Sequence, residues 1–302
     1  MLPGAWHEPN AVGGSSSSSD KELTMNVAAL QTLDPEIGRT VVADGIRTNI
    51  HDVGEGNPVL MIHGSGPGVS AWSNWRLNLP VLARTMRVIA PDCVGFGFTD
   101  RPDGIRYNRE TWLRHLLGVM DECGVEQADV VGNSFGGGMA LGLAIHHPER
   151  VRRLVLMGSV GIGFELTPGL EAVWGYTPSL EKMRELLDVF AFDRGLVTDE
   201  LARVRFRAAT RPGVAEAFSS MFPAPRQQWI EALSHDASDI ARLRNPTLIL
   251  HGREDRVIPP SNAQRLFDLI PEAELHMFGR SGHWTQIEHK DRFNALLADF
   301  LN

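Results

Sequence analysis

Short runs rich in valine, leucine and isoleucine alternate with longer amphipathic segments, and this alternation constrains the fold more than any other feature of the chain. Such runs occupy residues 59–62, 88–90, 128–132 and 151–157, which is typical of strands buried on both faces of a parallel sheet. Residues 109–123 and 136–146 lie between them and have the spacing of helices. The alternation predicts an α/β fold with a mostly parallel central sheet flanked by helices.

The pattern stops near Phe164 and resumes at Thr247. The intervening segment is amphipathic and helical in spacing, and prolines divide it into pieces. We therefore expect a core formed by residues 39–163 and 240–302, with an inserted helical cap at 164–239. Residues 1–38 contain the serine run Ser15–Ser19, and this composition predicts a flexible N-terminal extension.

Charge and cysteine content exclude several classes of protein. The 302 residues carry 29 lysines and arginines against 37 aspartates and glutamates, a net charge of −8, which disfavours nucleic-acid binding. No apolar run reaches the length of a membrane span. The two cysteines, Cys93 and Cys123, form neither a disulfide framework nor a zinc motif, so we expect no metal and a cytoplasmic location.

The pentapeptide Gly132-Asn133-Ser134-Phe135-Gly136 fits the pattern G-x-S-x-G. It follows a predicted strand and opens a predicted helix. This is the context of a nucleophile elbow, in which a sharp turn lifts the serine hydroxyl out of the sheet. Ser134 is therefore the candidate nucleophile.

A nucleophilic serine needs a base and an acid that orients the base. Position selects His283, in the loop before the last helix, and Asp255, after the preceding strand. The order Ser134, Asp255, His283 is that of α/β-hydrolases. Glu254 is the rival acid, but it lies one residue nearer the strand and should point elsewhere. Most other histidines are assigned to packing or to the surface, among them His115, His146, His147, His235, His251, His276 and His289.

The glycine-rich segment after the strand at 59–62 supplies a second candidate feature. In such folds this loop and the residue after the nucleophile each give one backbone N–H to an oxyanion hole. We therefore assign these donors to the amides of Ser65 and Phe135. A phosphate-binding loop is the alternative, but neither of its usual glycine patterns is present.

These motifs resemble those of the meta-cleavage product hydrolases, α/β-hydrolases that split carbon–carbon bonds in ring-fission products of aromatic compounds. The resemblance extends from about residue 40 to 302. It rests on four marks, namely Gly64–Gly68 with Trp72–Trp75, Asp92–Gly97, Gly132–Gly137 and Gly282–Trp284. The pairing of Ser65 with Trp75-Arg76 is more similar to the branch acting on monocyclic and short-alkyl products, which includes 2-hydroxymuconic semialdehyde hydrolases.

The resemblance implies substrates of the 2-hydroxy-6-oxo-2,4-dienoate class, with a carboxylate bound under the cap. The substrate-binding residues it implies are Gly66, Asn74, Asn133, Arg205 and Trp284. Gly195 stands where relatives often carry serine, so that hydroxyl is missing here. Relatives also form oligomers, which predicts a homo-oligomer.

The implied reaction needs no cofactor. The dienol is first ketonised, with His283 moving the proton. Ser134, or a water that His283 activates, then attacks the distal ketone. Two alternatives stay open: a carboxylesterase with the same triad and a non-catalytic ligand receptor on the same fold. The size of the group at the far end of the substrate is also open, and the residues that could set it are Met139, Ile162, Phe164, Trp174, Phe192 and Val257.

Overall fold

The computed structural model of the chain describes residues 34–302, and residues from Glu36 onward form one compact unit. The extension predicted at 1–38 lies outside the described residues, except for its last five positions. The first two strands form a hairpin around a turn at Asp44-Gly45, in which both residues have positive φ.

The described residues contain one eight-stranded sheet. Its strands β1 to β8 span Arg39–Ala43, Ile46–Val53, Pro58–Ile62, Arg87–Pro91, Ala128–Asn133, Val151–Met157, Thr247–Gly252 and Ala273–Phe278. The spatial order is β1-β2-β4-β3-β5-β6-β7-β8. β2 is antiparallel to β1 and β4, and all other neighbours are parallel. The mostly parallel α/β sheet expected from the sequence is confirmed.

Helices connect the strands and cover the sheet. Two short helices follow β3, namely α1 at Ala71–Trp75 and α2 at Leu79–Leu82. Helix α3, Arg109–Glu122, follows β4, and α4, Phe135–His146, follows β5. A 3₁₀ turn, Pro148–Arg150, leads into β6. After β7 come α11 to α13, at Ser261–Leu269, Thr285–Glu288 and Lys290–Leu301.

The long connection between β6 and β7 is helical. It contains α5 to α10, at Pro168–Trp174, Leu180–Phe190, Asp199–Ala209, Val214–Met221, Gln227–Leu233 and Ala237–Ile240, with a 3₁₀ turn at Arg194–Leu196. Threonine and serine side chains cap several of these helices. Thr167, Ser179 and Thr198 each accept a hydrogen bond from a first-turn amide, which satisfies a donor that the helix itself leaves unpaired.

Apolar side chains pack on both faces of the sheet. Along β3, Val59 and Met61 belong to one cluster, and Leu60 and Ile62 belong to another, as the two-residue period of a strand requires. The cluster of Leu60 continues into the helices between β6 and β7 through residues such as Trp174 and Leu186. Those helices are therefore packed on the carboxyl-terminal side of the sheet through a shared apolar core. Within the described residues, no helix is both long and apolar enough to cross a membrane.

Candidate active site

Ser134 lies in a sharp turn between β5 and α4. Its φ of 55° and ψ of −115° place it in a region that side chains other than glycine rarely adopt. The turn is held because the Ser134 amide donates to Met157 O at 2.8 Å and its carbonyl accepts from the amides of Gly137 and Val160. This is the strand-to-helix geometry that the G-x-S-x-G pattern predicts, with the hydroxyl at the amino end of a helix.

Close approach of the backbone explains two glycines of the pattern. A Cβ on Gly132 would lie 2.2 Å from Gly136 O, and one on Gly136 would lie 2.3 Å from Ile62 O. Both distances are far below any tolerable contact with backbone. Larger residues at these positions would push α4 away from β3 and β5 and displace Ser134.

Asp255 and His283 form a buried hydrogen-bonded pair. His283 Nδ1 lies 2.7 Å from Asp255 Oδ2, and both residues are buried. With its proton on Nδ1, a neutral imidazole has its Nε2 lone pair available as a base. Among the described residues, the Ser134 hydroxyl has no hydrogen-bond partner, but Ser134 and His283 line the same cavity. Such bonds are often long in structures without substrate.

Four donors surround the Asp255 carboxylate. Oδ1 accepts from the amides of Val257 at 2.8 Å and Ile258 at 3.0 Å, and Oδ2 lies near His283 and 3.1 Å from His251 Nε2. Burial acts to raise the pKa of Asp255, but the charge and hydrogen bonds of His283 and His251 outweigh it and hold the pKa below its usual range. The carboxylate therefore stays ionised.

Sequence reasoning assigned His251 to packing and missed this contact. His251 is buried at the end of β7, and Nε2 also lies 3.1 Å from Ile258 O. The sequence feature that could have indicated this contact is the position of His251 at a strand end, four residues before Asp255. Glu254 points away, as expected. Its carboxylate accepts hydrogen bonds from Arg253 and from the Ser281 amide.

The loop after β3 is fixed by His63. Its Nε2 accepts from the Cys93 amide at 2.9 Å, so Nδ1 carries the proton and donates to Gly64 O at 2.8 Å. Burial lowers the pKa of His63 to about 4, so the ring is neutral and this tautomer is retained near neutral pH. The Gly64 amide donates to Asn74 Oδ1 at 3.3 Å, and is therefore already used.

Ser65 and Phe135, whose amides are assigned to the oxyanion hole, are both near Ser134. Ser65 lines the cavity with Ser134, and the Phe135 amide is in the first turn of α4, where helices leave N–H groups unpaired. Trp174 Nε1 donates to Ser65 Oγ at 3.0 Å. This bond ties Ser65 to α5 and was not evident from the sequence, because 109 positions separate the two residues.

One cavity contains most of the predicted site residues in its wall. We call it the inner cavity. Polar residues on its wall are Ser65, Asn74, Asn133, Ser134, Arg205 and His283, and the remainder of the wall is Gly64, Gly66, Val69, Leu170, Val173, Phe190, Val257 and Trp284. Asp255 lies behind His283, and the Phe135 ring packs in the core against Trp112 at 4.7 Å.

Arg205 brings a positive charge to this cavity from α7. Its only hydrogen bond among the described residues is a long one, from Nη2 to Pro67 O at 3.4 Å, and it forms no ion pair with any of them. Burial lowers its pKa to about 10, so the guanidinium is still charged at neutral pH. A desolvated guanidinium with unused donors is suited to binding a carboxylate in a two-pronged manner.

Asn74 and Asn133 add amide groups to the same wall. Asn74 Nδ2 is buried and has no hydrogen-bond partner, which leaves a donor facing this region. Asn133 Nδ2 has only a 3.4 Å contact with Met157 O. Trp284 stacks on Phe190 with ring centres 5.2 Å apart, and it forms a flat apolar surface in the cavity wall.

The loop that carries His283 is held by the segment following α6. The His283 amide donates to Phe190 O at 2.8 Å. The Glu288 carboxylate accepts from the amides of Phe192, Asp193 and Gly282 at 2.6–2.8 Å. Glu288 therefore links the two segments, a role that the sequence did not indicate.

Two further expectations concern the pocket. Of the residues named as able to shape it, Val257 lines the inner cavity, and Trp174 contacts Ser65 instead. Gly195 is exposed, its amide donates to Asp193 Oδ1 at 2.9 Å, and it is not part of the inner cavity wall.

Within the described residues, no group of three or more histidine, cysteine, aspartate or glutamate side chains could hold a metal ion. Cys93 and Cys123 are free thiols.

A serine at a strand–helix turn, beside an aspartate–histidine pair and under a helical insertion, defines a serine hydrolase of the α/β type. A sequence profile described as the alpha/beta hydrolase fold matches residues 57–290. The 2-hydroxymuconate semialdehyde hydrolase of Pseudomonas sp. strain CF600 is 60% identical over 88% of this chain and 94% of its own length. The 2-hydroxy-6-oxo-2,4-heptadienoate hydrolase of Pseudomonas putida strain F1 is 59% identical over 90% of this chain and 99% of its own.

A solved structure agrees with these relatives. It is a serine-to-alanine mutant of the meta-cleavage product hydrolase from Pseudomonas fluorescens IP01, complexed with acetates. It superposes with a TM-score of 0.88 at 59% identity, covering 88% of this chain and 98% of that one. The chain belongs to the α/β-hydrolase fold family and, within it, to the meta-cleavage product hydrolases.

Proposed function

We propose that this chain hydrolyses the carbon–carbon bond between C5 and C6 of 2-hydroxy-6-oxo-2,4-dienoates. The products are 2-hydroxypenta-2,4-dienoate and a small carboxylic acid, as expected in the breakdown of aromatic compounds. One observation carries the proposal beyond the family names. Among the described residues, Arg205 has no ion-pair partner and Asn74 Nδ2 has no hydrogen-bond partner. Both residues line the cavity that holds Ser134 and His283, and simple ester hydrolysis needs neither of them.

Each residue has a proposed role in two stages. The carboxylate end binds to Arg205 and Asn74. Asn133 and the Ser65–Gly66 segment lie near its oxygens, and Trp284 packs against the diene. His283 Nε2 moves the proton that ketonises the dienol, which protonates C5. The Ser134 hydroxyl, or a water beside it, then loses its proton to His283 and attacks C6.

The tetrahedral oxyanion accepts hydrogen bonds from the amides of Ser65 and Phe135, and each such donor stabilises a transition state by about 2.7–4 kcal/mol. Collapse of this intermediate breaks the C5–C6 bond, because the departing fragment leaves as a stabilised dienolate, which takes up the proton held by His283. Where Ser134 is the attacking group, water then hydrolyses the acyl group on Ser134 and releases the small acid; where water attacks, the acid is released directly. Asp255 fixes the Nδ1–H tautomer of His283 and stabilises the imidazolium that forms.

The direct test is a panel of purified ring-fission products with hydrogen, methyl, isopropyl or phenyl at C6. We expect the dienolate absorbance to disappear with those carrying a small substituent, and the two acids to accumulate in equal amounts. Rapid cleavage of p-nitrophenyl esters with no turnover of any dienoate would favour the carboxylesterase. Binding without turnover of either would favour the receptor.

Arg205→Ala should lower kcat/KM for a dienoate at least tenfold, because a desolvated carboxylate left without its partner costs about 2–5 kcal/mol. Arg205→Lys should recover only part, since an ammonium cannot copy a planar pair of donors. For a neutral p-nitrophenyl ester, kcat/KM should fall much less. Arg207→Ala is the matched control, because Arg207 is exposed on the same helix. Equal losses on both substrates would assign Arg205 a structural role.

We also propose that His251 positions the acid of the triad. His251→Phe removes a donor from the Asp255 carboxylate, and hydrogen bonds to charged groups contribute about 1.5–3 kcal/mol. We expect kcat to fall roughly tenfold or more, and His251→Gln, which keeps an N–H donor, to retain more activity. His276→Gln on the neighbouring strand serves as the control. A lower melting temperature with unchanged kcat would restrict His251 to stability.

The expected homo-oligomer and the cytoplasmic location stay predictions. Light scattering on the purified chain measures the first. Fractionation of the source cells measures the second.

A further inference from the structure

A second cavity shares a wall with the inner cavity. We call it the outer cavity. Val69, Asn74, Arg205 and Trp284 belong to both, and the remaining wall of the outer cavity is Ser73, Arg76, Leu196, Leu201, Gln286 and Ile287. The two cavities therefore meet at Arg205 and Trp284, on the side of the inner cavity where the carboxylate of the proposed substrate would lie.

The two cavities differ in exposure. Nearly all residues around the inner cavity are buried, and Gly66, Arg205 and Trp284 are the half-buried members of its wall. Most of the residues that belong to the outer cavity alone, Ser73, Arg76 and Leu196 among them, are half-buried. The wall of the outer cavity is thus the more exposed of the two, and the residues that the two cavities share include Arg205 and Trp284.

Two guanidinium groups, those of Arg76 and Arg205, line the outer cavity. Among the described residues, neither Arg76 nor Arg205 forms an ion pair. Arg76 Nη1 donates to Ser73 O at 2.8 Å. Burial is the main cause of the lowered pKa of Arg205. The charge of Glu36 acts to raise this pKa, and the positive charge of Arg76 acts to lower it. The two groups are therefore close enough to repel each other, which an anion between them would relieve.

One carboxylate lies near these two cations. Glu36 acts through its charge on Arg76 and on Arg205, and it accepts a hydrogen bond from Ser70 Oγ at 2.6 Å. Two guanidinium groups against one carboxylate leave a net positive charge beside the outer cavity. The buried Asn74 Nδ2, which has no partner, is a third donor on the shared wall. Two cations and an unused amide around the outer cavity fit a monocarboxylate, and the apolar Leu196, Leu201 and Ile287 of the same cavity fit its hydrocarbon chain.

We propose that the outer cavity is the entrance subsite for the dienoate carboxylate, which binds first at Arg76 and then passes to Arg205 and Asn74. This inference rests on the proposed function. A cationic entrance raises the local concentration of an anionic substrate and its rate of association, and salt weakens the effect. Arg76 is thus a binding residue that acts ahead of the chemical step.

Steady-state kinetics with 2-hydroxymuconic semialdehyde at low ionic strength tests the role of Arg76. We expect Arg76→Gln to lower kcat/KM about three- to tenfold, with most of the loss in KM, and to flatten its dependence on salt. Arg76→Lys should retain most of kcat/KM, because it keeps the charge. Arg84→Gln is the matched control, since it removes one exposed arginine and changes the net charge equally.

Two results would overturn the proposal. One is a change below twofold in kcat/KM for Arg76→Gln at low salt. The other is an equal loss on a neutral p-nitrophenyl ester, which would mean that the substitution disturbs the fold of the loop.

Titration calorimetry with sorbate separates this proposal from the proposed function. Sorbate is a 2,4-dienoate that lacks the C6 ketone of the substrate, so it binds without turnover. We expect Arg76→Gln to weaken sorbate binding at least threefold and Arg84→Gln to change it little. If the wild-type chain cleaves no dienoate, the proposed function fails, and the sorbate titration still decides whether the subsite exists. If dienoates are cleaved and Arg76→Gln binds sorbate as the wild type does, the entrance subsite alone fails.

Discussion

Ser134→Ala should lower kcat for a dienoate by five or six orders of magnitude. The members of a serine triad act as a unit, and loss of the nucleophile in a serine hydrolase costs on the order of 10⁶ in kcat. The substitution removes one hydroxyl that has no hydrogen-bond partner among the described residues, so the fold should be retained. The measurement is single-turnover absorbance with the variant in excess over substrate.

Two controls make this result specific. Ser159→Ala removes a neighbouring buried hydroxyl, which donates to Val160 O, and should leave kcat within a few-fold of the wild type. Chemical denaturation of Ser134→Ala should give a free energy of unfolding no lower than that of the wild type, because φ at this position is already strained. Retention of more than a tenth of the wild-type kcat would contradict the assignment of the nucleophile.

The frame of this fold could be predicted because its signals are local. The runs at 59–62 and 151–157 are strands in the structure with nearly the same bounds, since burial on both faces demands apolar residues at consecutive positions. The turn at Ser134 was equally accessible, because glycines that admit close backbone contact flank it on either side. Helix ends moved by only one or two residues. For example, α4 begins at Phe135 rather than Gly136.

Contacts between distant segments could not be predicted in the same way. The hydrogen bond from Trp174 to Ser65 and those from the amides of Phe192 and Asp193 to Glu288 join segments far apart in the chain. No periodicity or spacing encodes such contacts, because they depend on how helices between β6 and β7 pack over the sheet. His251 is a different case. It is near Asp255 in sequence, but a histidine in an apolar strand resembles an ordinary core residue. Its role becomes visible only when the position of the loop that carries Asp255 is known.

Asp255 and Glu254 are adjacent carboxylates, but their surroundings differ completely. Asp255 is buried and accepts from two histidines and two amides, whereas Glu254 is held by Arg253 and the Ser281 amide. The interactions that hold the pKa of Asp255 down stabilise the folded state above the ordinary carboxylate pKa. That stabilisation is lost only as the pH falls through the lower folded-state value. The acid limb of a pH–rate profile should therefore not come from Asp255.

Asp255→Asn should lower kcat about 10⁴-fold, the loss found when the same change is made in a serine protease triad. The Asp255 carboxylate accepts hydrogen bonds from both His283 and His251. An asparagine in its place would instead present the N–H group of Nδ2 to one of these two histidines. His283 would then have its proton on Nε2, which faces the substrate, and could not act as a base. Glu254→Gln, one position away, should change kcat less than tenfold. Steady-state rates of both variants across pH 6–9 make the comparison, with imidazole protonation followed by NMR. If kcat fell strongly in Glu254→Gln and only slightly in Asp255→Asn, the acid of the triad would be Glu254 and not Asp255.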